Sequence, residues 1–434
     1  MMLLGTQKIN NKGHLEIGGC DTVDLAKEFA TPLYVMDEDL IRSNAKKYIQ
    51  GIKSNYPDAD IAYASKAFIV VQMCKLVKEE GLWIDVASAG ELYTAKIAGF
   101  DMNKVLFHGN FKSDMELQMA CDEGVFAVVC DSFSEIDKLD SIAKSKAIIQ
   151  NVLIRCNPGV DPHTHSMIAT GQEDSKFGFN IKSGDAMLAI KKIISKNNLN
   201  LIGLHSHLGS QLLEENPFEE CAPIMAGFFE KIYKETGLEL QVLDLGGGLG
   251  VRYLEEHNPK PIEEFTKMIT DNVKKAFSDK GLKFPKLILE PGRSIVGEAG
   301  TTLYTCGEPK VCHLKEGDKT YLPVDGGLSD NPRPALYDSQ YTELIANKAN
   351  LDKDTVYTVS GKHCETDKLF INVKLQKVDR GDIMAVQTTG AYNHAMASNY
   401  NRFTRPAVVF VKDGKARLVY RRETLEDLVK CDII

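Results

Sequence analysis

Between residues 59 and about 295 the chain alternates short apolar runs with amphipathic stretches, and this alternation constrains its fold more than any other feature. The runs fall at 59–65, 82–87, 104–108, 125–130, 152–156, 201–207, 241–245 and 286–290, mostly bounded by Gly, Asp or Asn. Short runs without polar alternation are expected of parallel strands buried on both faces. Segments 68–80, 91–98, 184–196 and 261–279 between them read as amphipathic helices. Ser88-Ala-Gly-Glu91 fits a capping box at one helix start, and Gly99 fits its stop. Eight strands with helices between them is the tally of a (β/α)8, TIM-like barrel, although a doubly wound open sheet shares the local pattern. The polar residues favour closure. Lys66, Asp85, His108, His207, the run from Gly246 and Glu290 lie at or just after the carboxyl ends of strands, where barrels build their sites.

After about residue 300 the texture changes to short β-rich segments (303–313, 319–324, 355–360, 369–378, 382–388 and 406–411) separated by turns rich in Gly, Asp and Lys. These predict a mostly antiparallel β C-terminal domain. The first 35 residues are similarly short-stranded. The expected division is therefore a barrel over 36–300 and a β domain over 1–35 and 301–434 that completes the active site. A chain of 434 residues has room for both. Its net charge of −8 argues against a nucleic-acid partner. No run of 18 apolar residues occurs, so no membrane span is expected. Met1-Met2-Leu3-Leu4-Gly5 does not read as a signal peptide, and ten scattered cysteines without a CxxC pair suit reduced thiols in a cytoplasmic protein. His163-Thr164-His165 and Cys312-His313 lack further ligands at metal-site spacing, so no metal is assigned.

Lys66 closes the apolar run Asp60-Ile-Ala-Tyr-Ala-Ser. An amine partly stripped of water there would have a lowered pKa and could hold a carbonyl as a Schiff base. Its bland alternative is a lysine reaching into solvent. Gly246-Gly247-Gly248 would let backbone N–H groups converge on a phosphate, or would simply make a tight turn. In His205-Ser206-His207-Leu208-Gly209-Ser210, period-2 alternation points both histidines the same way. An imidazole there could stack on a planar cofactor and the Ser210 hydroxyl could bond its phosphate; a buried histidine and an N-cap serine are the alternative. Glu290, before Pro291-Gly292-Arg293, could keep a pyridine nitrogen protonated, or pair with Arg293 across the turn. These are the needs of pyridoxal 5'-phosphate, the commonest Schiff-base cofactor. In the second domain, Cys364 beside Glu365 could exchange a proton, Tyr392 could reach a phosphate, and Arg333 could fork onto a substrate carboxylate. By default these three are a buried thiol, an aromatic turn and a surface arginine.

Taken in order, Thr31-Pro-Leu-Tyr-Val35, Lys66, Ser88-Ala-Gly-Glu-Leu92, His207-Leu-Gly-Ser-Gln211, Gly246 to Gly248, Glu290-Pro-Gly-Arg293, Arg333-Pro-Ala-Leu-Tyr337, Cys364-Glu365 and Gly390-Ala-Tyr392 resemble the fold-type III pyridoxal-phosphate decarboxylases over nearly the whole chain. The resemblance implies that Lys66 carries the cofactor, that His207 stacks on its ring and that Glu290 pairs with its nitrogen. It implies that Ser210, Gly246, Gly247, Gly248 and Tyr392 hold the phosphate, with Asp85, Gly292 and Arg293 completing the cofactor site. Arg293, Arg333, Tyr337, Glu365 and Tyr392 would contact the substrate. Cys364 would be the general acid, supplied by the partner subunit of a homodimer with shared active sites. The implied activity is decarboxylation of meso-2,6-diaminopimelate to lysine, with paired arginines on the distal carboxylate. An ornithine-, arginine- or carboxynorspermidine-type decarboxylase, a non-catalytic cofactor-binding protein and a cofactor-free aldolase are the rivals. The chain departs from the family pattern at Ala67-Phe68 and at Asp85-Val-Ala-Ser88.

Overall fold

The structure is a computed structural model and describes residues 2–160, 175–214 and 216–433, so His163 and His165 lie outside the described residues. The chain forms two compact units. One comprises 44–250 and 259–294; the other comprises 1–43, 251–258 and 295–434.

In the first unit all eight apolar runs become strands: β1 (Ala59–Ala64), β2 (Trp83–Val86), β3 (Val105–Phe107), β4 (Ala127–Cys130), β5 (Gln150–Asn157), β6 (Leu199–His205), β7 (Val242–Asp244) and β8 (Lys286–Leu289). Each pairs in parallel with the next, and β8 pairs with β1. The sheet is a closed barrel rather than an open one. Helices Val71–Glu79, Ala89–Ile97, Asp185–Ile194 and Ile262–Ser278 occupy the expected windows. At Ala89–Ile97 the capping box is half made. The Ser88 hydroxyl accepts the Glu91 N–H at 3.2 Å, but the Glu91 carboxylate accepts from Ala87 at 2.6 Å instead of from Ser88. Gly99 follows with φ +69°, as a helix stop requires.

One buried apolar cluster takes a side chain from every strand: Ala62, Trp83, Leu106, Ala127 and Val129, Leu153, Ile202, Val242 and Ile288. Because strand side chains alternate with period two, the residue two positions on faces the same way. Trp83 leads to Asp85, Leu106 to His108, Val129 to Asp131, Leu153 to Arg155, Val242 to Asp244 and Ile288 to Glu290, and all six polar residues are buried. An apolar plug therefore carries a polar ring on its carboxyl-end side. β6 reaches the ring differently. Leu201 pairs with Val152 and Gly203 with Leu153, leaving Ile202 as an extra residue. That bulge turns His205, three residues on, into the same ring.

The second unit contains a six-stranded sheet in the order Glu343–Ile345, Ile383–Gln387, Gly300–Thr305, Leu33–Asp37, Ala407–Lys412 and Lys415–Tyr420. It is antiparallel except where Ala407–Lys412 runs parallel to Leu33–Asp37. A four-stranded sheet (Lys310–Leu314, Gly317–Pro323, Thr355–Ser360, Lys368–Leu375) contains one parallel pairing. The expected run 303–313 is two strands, and Glu343–Ile345 and Lys415–Tyr420 were not foreseen. Residues 8–21 form a small three-stranded sheet.

Glu343 opens its strand as a buried carboxyl, and burial raises its pKa from 4.5 to about 8 against the pull of Lys353. The folded state therefore keeps this proton between about pH 4.5 and 8 while the unfolded chain releases it, so stability falls as pH rises through that window. Glu343→Gln should raise Tm at pH 8.5 by on the order of 2 °C and leave it nearly unchanged at pH 4.5. Calorimetry at the two pH values checks this; an equal shift at both rejects the buried proton.

Candidate active site

Lys66 lies in the 3-10 turn Ser65–Ala67 directly after β1. The strand is buried but Lys66 is exposed, which corrects the expectation of an amine partly stripped of water. Gly292, after β8, packs against this turn, and a Cβ on it would sit 2.9 Å from the Ala64 Cβ and 3.0 Å from the Ala67 Cβ. Asp85 is buried, with Oδ2 lacking a hydrogen-bond partner among the described residues. Burial raises its pKa, opposed by the Lys66 ammonium.

Glu290 faces two imidazoles. Oε2 lies 3.1 Å from His205 Nε2. Oε1 lies 2.7 Å from His108 Nε2, close enough for an ion pair but not aligned as a hydrogen bond. Burial alone would push Glu290 up, but His108 and then His205 outweigh it and hold the carboxyl well below its ordinary range. Neighbouring Asp244 is driven the other way, by burial first and by Glu290 next. Its Oδ1 accepts the Gly246 N–H at 2.8 Å, and its Oδ2 has no hydrogen-bond partner among the described residues. The loop after β3 that carries His108 is pinned by Lys112, whose ammonium donates to the Gly109 and Val129 carbonyls and to Glu135. The donor atoms of His108, His205, Asp244 and Glu290 lie within 4.8 Å of one another, a set that could also hold a cation.

His207 is not on β6, which ends at His205; it stands in the following turn, and only His205 joins the buried ring. Burial, then the Lys66 charge, pushes the His207 imidazole well below its ordinary pKa, so it is neutral. Its Nδ1 accepts the Gly247 N–H at 3.3 Å. The glycine run has no room for side chains: a Cβ on Gly246 would lie 2.7 Å from His207 Nδ1, and one on Gly247 would lie 2.1 Å from the Glu290 carbonyl oxygen. Gly246 and Gly248 also have φ of +65° and +133°. The Arg293 guanidinium donates to the Ser210 hydroxyl at 3.0 and 3.2 Å, so in this unit Arg293 stands with Ser210. An exposed amine, a glycine cradle, a serine–arginine pair and a buried carboxylate fit pyridoxal phosphate. Asp131, Arg155 and Asp244 were missed by sequence reasoning. Each lies at or near the carboxyl end of a strand, two residues beyond an inward apolar one, the signal that could have found it.

In the β unit, Arg333 begins the one-turn helix Arg333–Tyr337 and is buried. Its guanidinium lies 4.7 Å from the Tyr337 ring centre and 5.6 Å from that of Tyr392. Nε has no hydrogen-bond partner, and among the described residues no carboxylate pairs with Arg333. The preceding loop is held by Asp330, which accepts from the Tyr304 hydroxyl and from the Gly327 N–H at 2.9 Å. His363 accepts the Ser329 N–H at 3.2 Å and faces Asp367 at 2.6 Å, while Asp367 accepts the Leu328 N–H at 3.0 Å. These bonds tie the Arg333 loop to the loop carrying Cys364 and Glu365, both exposed. The Cys364 N–H donates to Asn401 Oδ1 at 2.9 Å, and the Tyr400 hydroxyl donates to Glu365 at 2.5 Å.

Residues 42–297 match the family described as pyridoxal-dependent decarboxylase, pyridoxal binding domain. The chain is 46% identical to the diaminopimelate decarboxylase of Halalkalibacterium halodurans, over all of this chain and 98% of that protein. It is 45% identical to that of Bacillus subtilis, with the same coverage. The crystal structure of the M. jannaschii diaminopimelate decarboxylase in co-complex with L-lysine superposes with a TM-score of 0.91 at 35% identity, covering 99% of this chain and 98% of that one. The chain belongs to the diaminopimelate decarboxylase family of pyridoxal-dependent decarboxylases.

Proposed function

We infer that the chain decarboxylates meso-2,6-diaminopimelate to L-lysine and carbon dioxide with pyridoxal 5'-phosphate as cofactor, and that the two sets of residues above divide the work. When bound, the cofactor supplies an aldehyde for amines and a ring that accepts the electron pair left by departing carbon dioxide. Lys66 would hold it through its amine, and its exposed position on a turn leaves that amine room to yield to the amine of the substrate. Ser210, Arg293 and the Gly246 to Gly248 loop would hold the phosphate, joined by Tyr392. Neutral His207 would lie against the ring, with Asp85 and Gly292 shaping the wall near Lys66. Glu290, held as an anion, would keep a proton on the ring nitrogen.

The observation that carries the substrate assignment is Arg333. A buried guanidinium without a carboxylate partner is costly, and a substrate carboxylate meets that deficit. Decarboxylation removes one carboxylate of diaminopimelate and leaves the second, which Arg333 would grip with Tyr337 and Arg293 alongside. Glu365 would take the distal amine. An amino acid without a second carboxylate, such as ornithine, would leave Arg333 unpaired. The M. jannaschii relative was crystallised with L-lysine, the product expected here.

The assembly we infer is a homodimer with shared active sites, in which Cys364 of the partner subunit returns a proton to the α-carbon of the product. Cys364 is exposed and its backbone is anchored by Asn401, which suits a group presented to another surface. The β unit would thereby complete the site. The cytoplasm suits ten cysteines that are all unpaired, seven of them buried. Among the described residues, no helix is long and apolar enough to cross a membrane.

Purified protein should show a visible absorption band that borohydride bleaches, with the reduced cofactor mapping by mass spectrometry to Lys66; labelling of another lysine would overturn the assignment. Arg333→Ala should raise KM for diaminopimelate on the order of 100-fold with the visible band intact, and Arg333→Lys should recover little because an ammonium lacks the planar fork. Unchanged kinetics would remove Arg333 from the substrate site. Mixed Lys66→Ala and Cys364→Ala subunits, each nearly inactive alone, should regain activity in heterodimers, since one of the two sites is then intact. No recovery on mixing would reject sharing.

A further inference from the structure

We propose that His205 is a positioning residue for this reaction, its Nε2–H fixing the Glu290 carboxylate on one oxygen while His108 holds the other. The proposal rests on the reading that Glu290 pairs with the ring nitrogen of the cofactor. Among the carboxylates buried in the barrel unit, Asp85, Asp244 and Glu290 lie close enough to act on one another's charge. They cannot all be ionised in so little space, because like charges out of water repel strongly. Their surroundings differ. Among the described residues, Asp85 Oδ2 and Asp244 Oδ2 have no hydrogen-bond partner, whereas each oxygen of Glu290 faces an imidazole nitrogen within 3.1 Å. The two imidazoles therefore select Glu290 as the anion, and leave Asp244 as its neutral neighbour.

The tautomer of His205 follows from the same contacts. His205 Nδ1 is buried with no hydrogen-bond partner among the described residues, and Nε2 is 3.1 Å from Glu290. Burial keeps the ring neutral, with a pKa lowered to about 3. A neutral imidazole has one N–H, and among the described residues its acceptor, Glu290, is on the Nε2 side. The ring is held by an edge contact with His108 at 4.8 Å and 66° between planes, and by the bulge at Ile202. An unpaired buried nitrogen and an irregular strand are both unfavourable for folding alone. Their presence together is explained if what they secure is the direction of the Glu290 carboxylate.

The test uses full-length enzyme carrying His205→Leu, His205→Gln, Glu290→Gln, or His205→Leu with Glu290→Gln. Cofactor affinity is measured by titrating apo-enzyme at the visible band, beside kcat and KM. His205→Leu should weaken cofactor binding and lower kcat by about ten- to a hundredfold, with KM nearly unchanged. His205→Gln, whose amide nitrogen can donate at the same reach, should recover most of both. Added to Glu290→Gln, His205→Leu should cause no further loss. Losses that multiply in the double variant, or a His205→Leu enzyme like wild type, would overturn the proposal. So would cofactor binding that disappears on chelation and returns with zinc, since the cluster would then be a metal cage. If Glu290→Gln alone leaves cofactor affinity and kcat unchanged, the reading of Glu290 itself fails; if it impairs them while His205→Leu does not, only the present inference fails.

Discussion

Closing a parallel ladder into a ring sends every second side chain inward and leaves the turns after the strands as the open ground for chemistry. In this chain the inward positions are apolar through the middle of the barrel, from Ala62 round to Ile288, and become polar one step later along nearly every strand. The apolar layer excludes water from below. The polar layer therefore sits where charges interact strongly with one another and weakly with solvent. Everything distinctive about the site follows from that one change of character between two adjacent layers.

In such a layer, protonation is settled by who faces whom. Glu290 has an imidazole against each oxygen and stays ionised; Asp244, a short distance away, is driven toward its neutral form by burial and by that same charge. His207 is kept neutral by burial beside Lys66, which leaves Nδ1 free to accept from the glycine loop and the ring face free of charge. The glycine loop is shaped by contact as much as by conformation. The strand-8 backbone lies so close to Gly247 that any side chain there would displace the turn bearing Glu290. The cradle and the carboxylate are thus parts of one packed unit, and neither can shift without the other.

The barrel was legible because its strands are uniform: apolar runs buried on both faces allow few alternatives, and each of the eight was placed within a few residues. The β unit was less so. Edge strands such as Lys415–Tyr420 mix exposed and half-buried residues without regular alternation and carry little periodic signal, and Gly307 interrupts a run that looked continuous. Asp244 and Arg155 resembled ordinary polar residues near strand ends and gave no signal of their own. His205 and His207 were misjudged for a specific reason. Period-2 alternation was extended through a strand that contains a bulge and then past its end, so both histidines were expected to face the same way on one strand, whereas only His205 ends β6 and joins the buried ring. Lys66 was misjudged because strand burial was assumed to continue into the turn that follows.

Arg333, in the β unit, follows a different physical logic. Arg333 is buried between two tyrosine rings that attract its charge without neutralising it. A protein that needed only stability would replace such a group with an apolar one, since a guanidinium without a counter-ion is worse than none. The surrounding bonds show where the compensation is arranged: Asp330, His363 and Asp367 spend their acceptors on backbone N–H groups of the loop before Arg333 and not on its guanidinium. The loop is rigid while the charge is left uncommitted. That combination favours a planar anion arriving from outside, and it makes discrimination steep, because a substrate without that anion would have to leave the guanidinium both desolvated and unpaired.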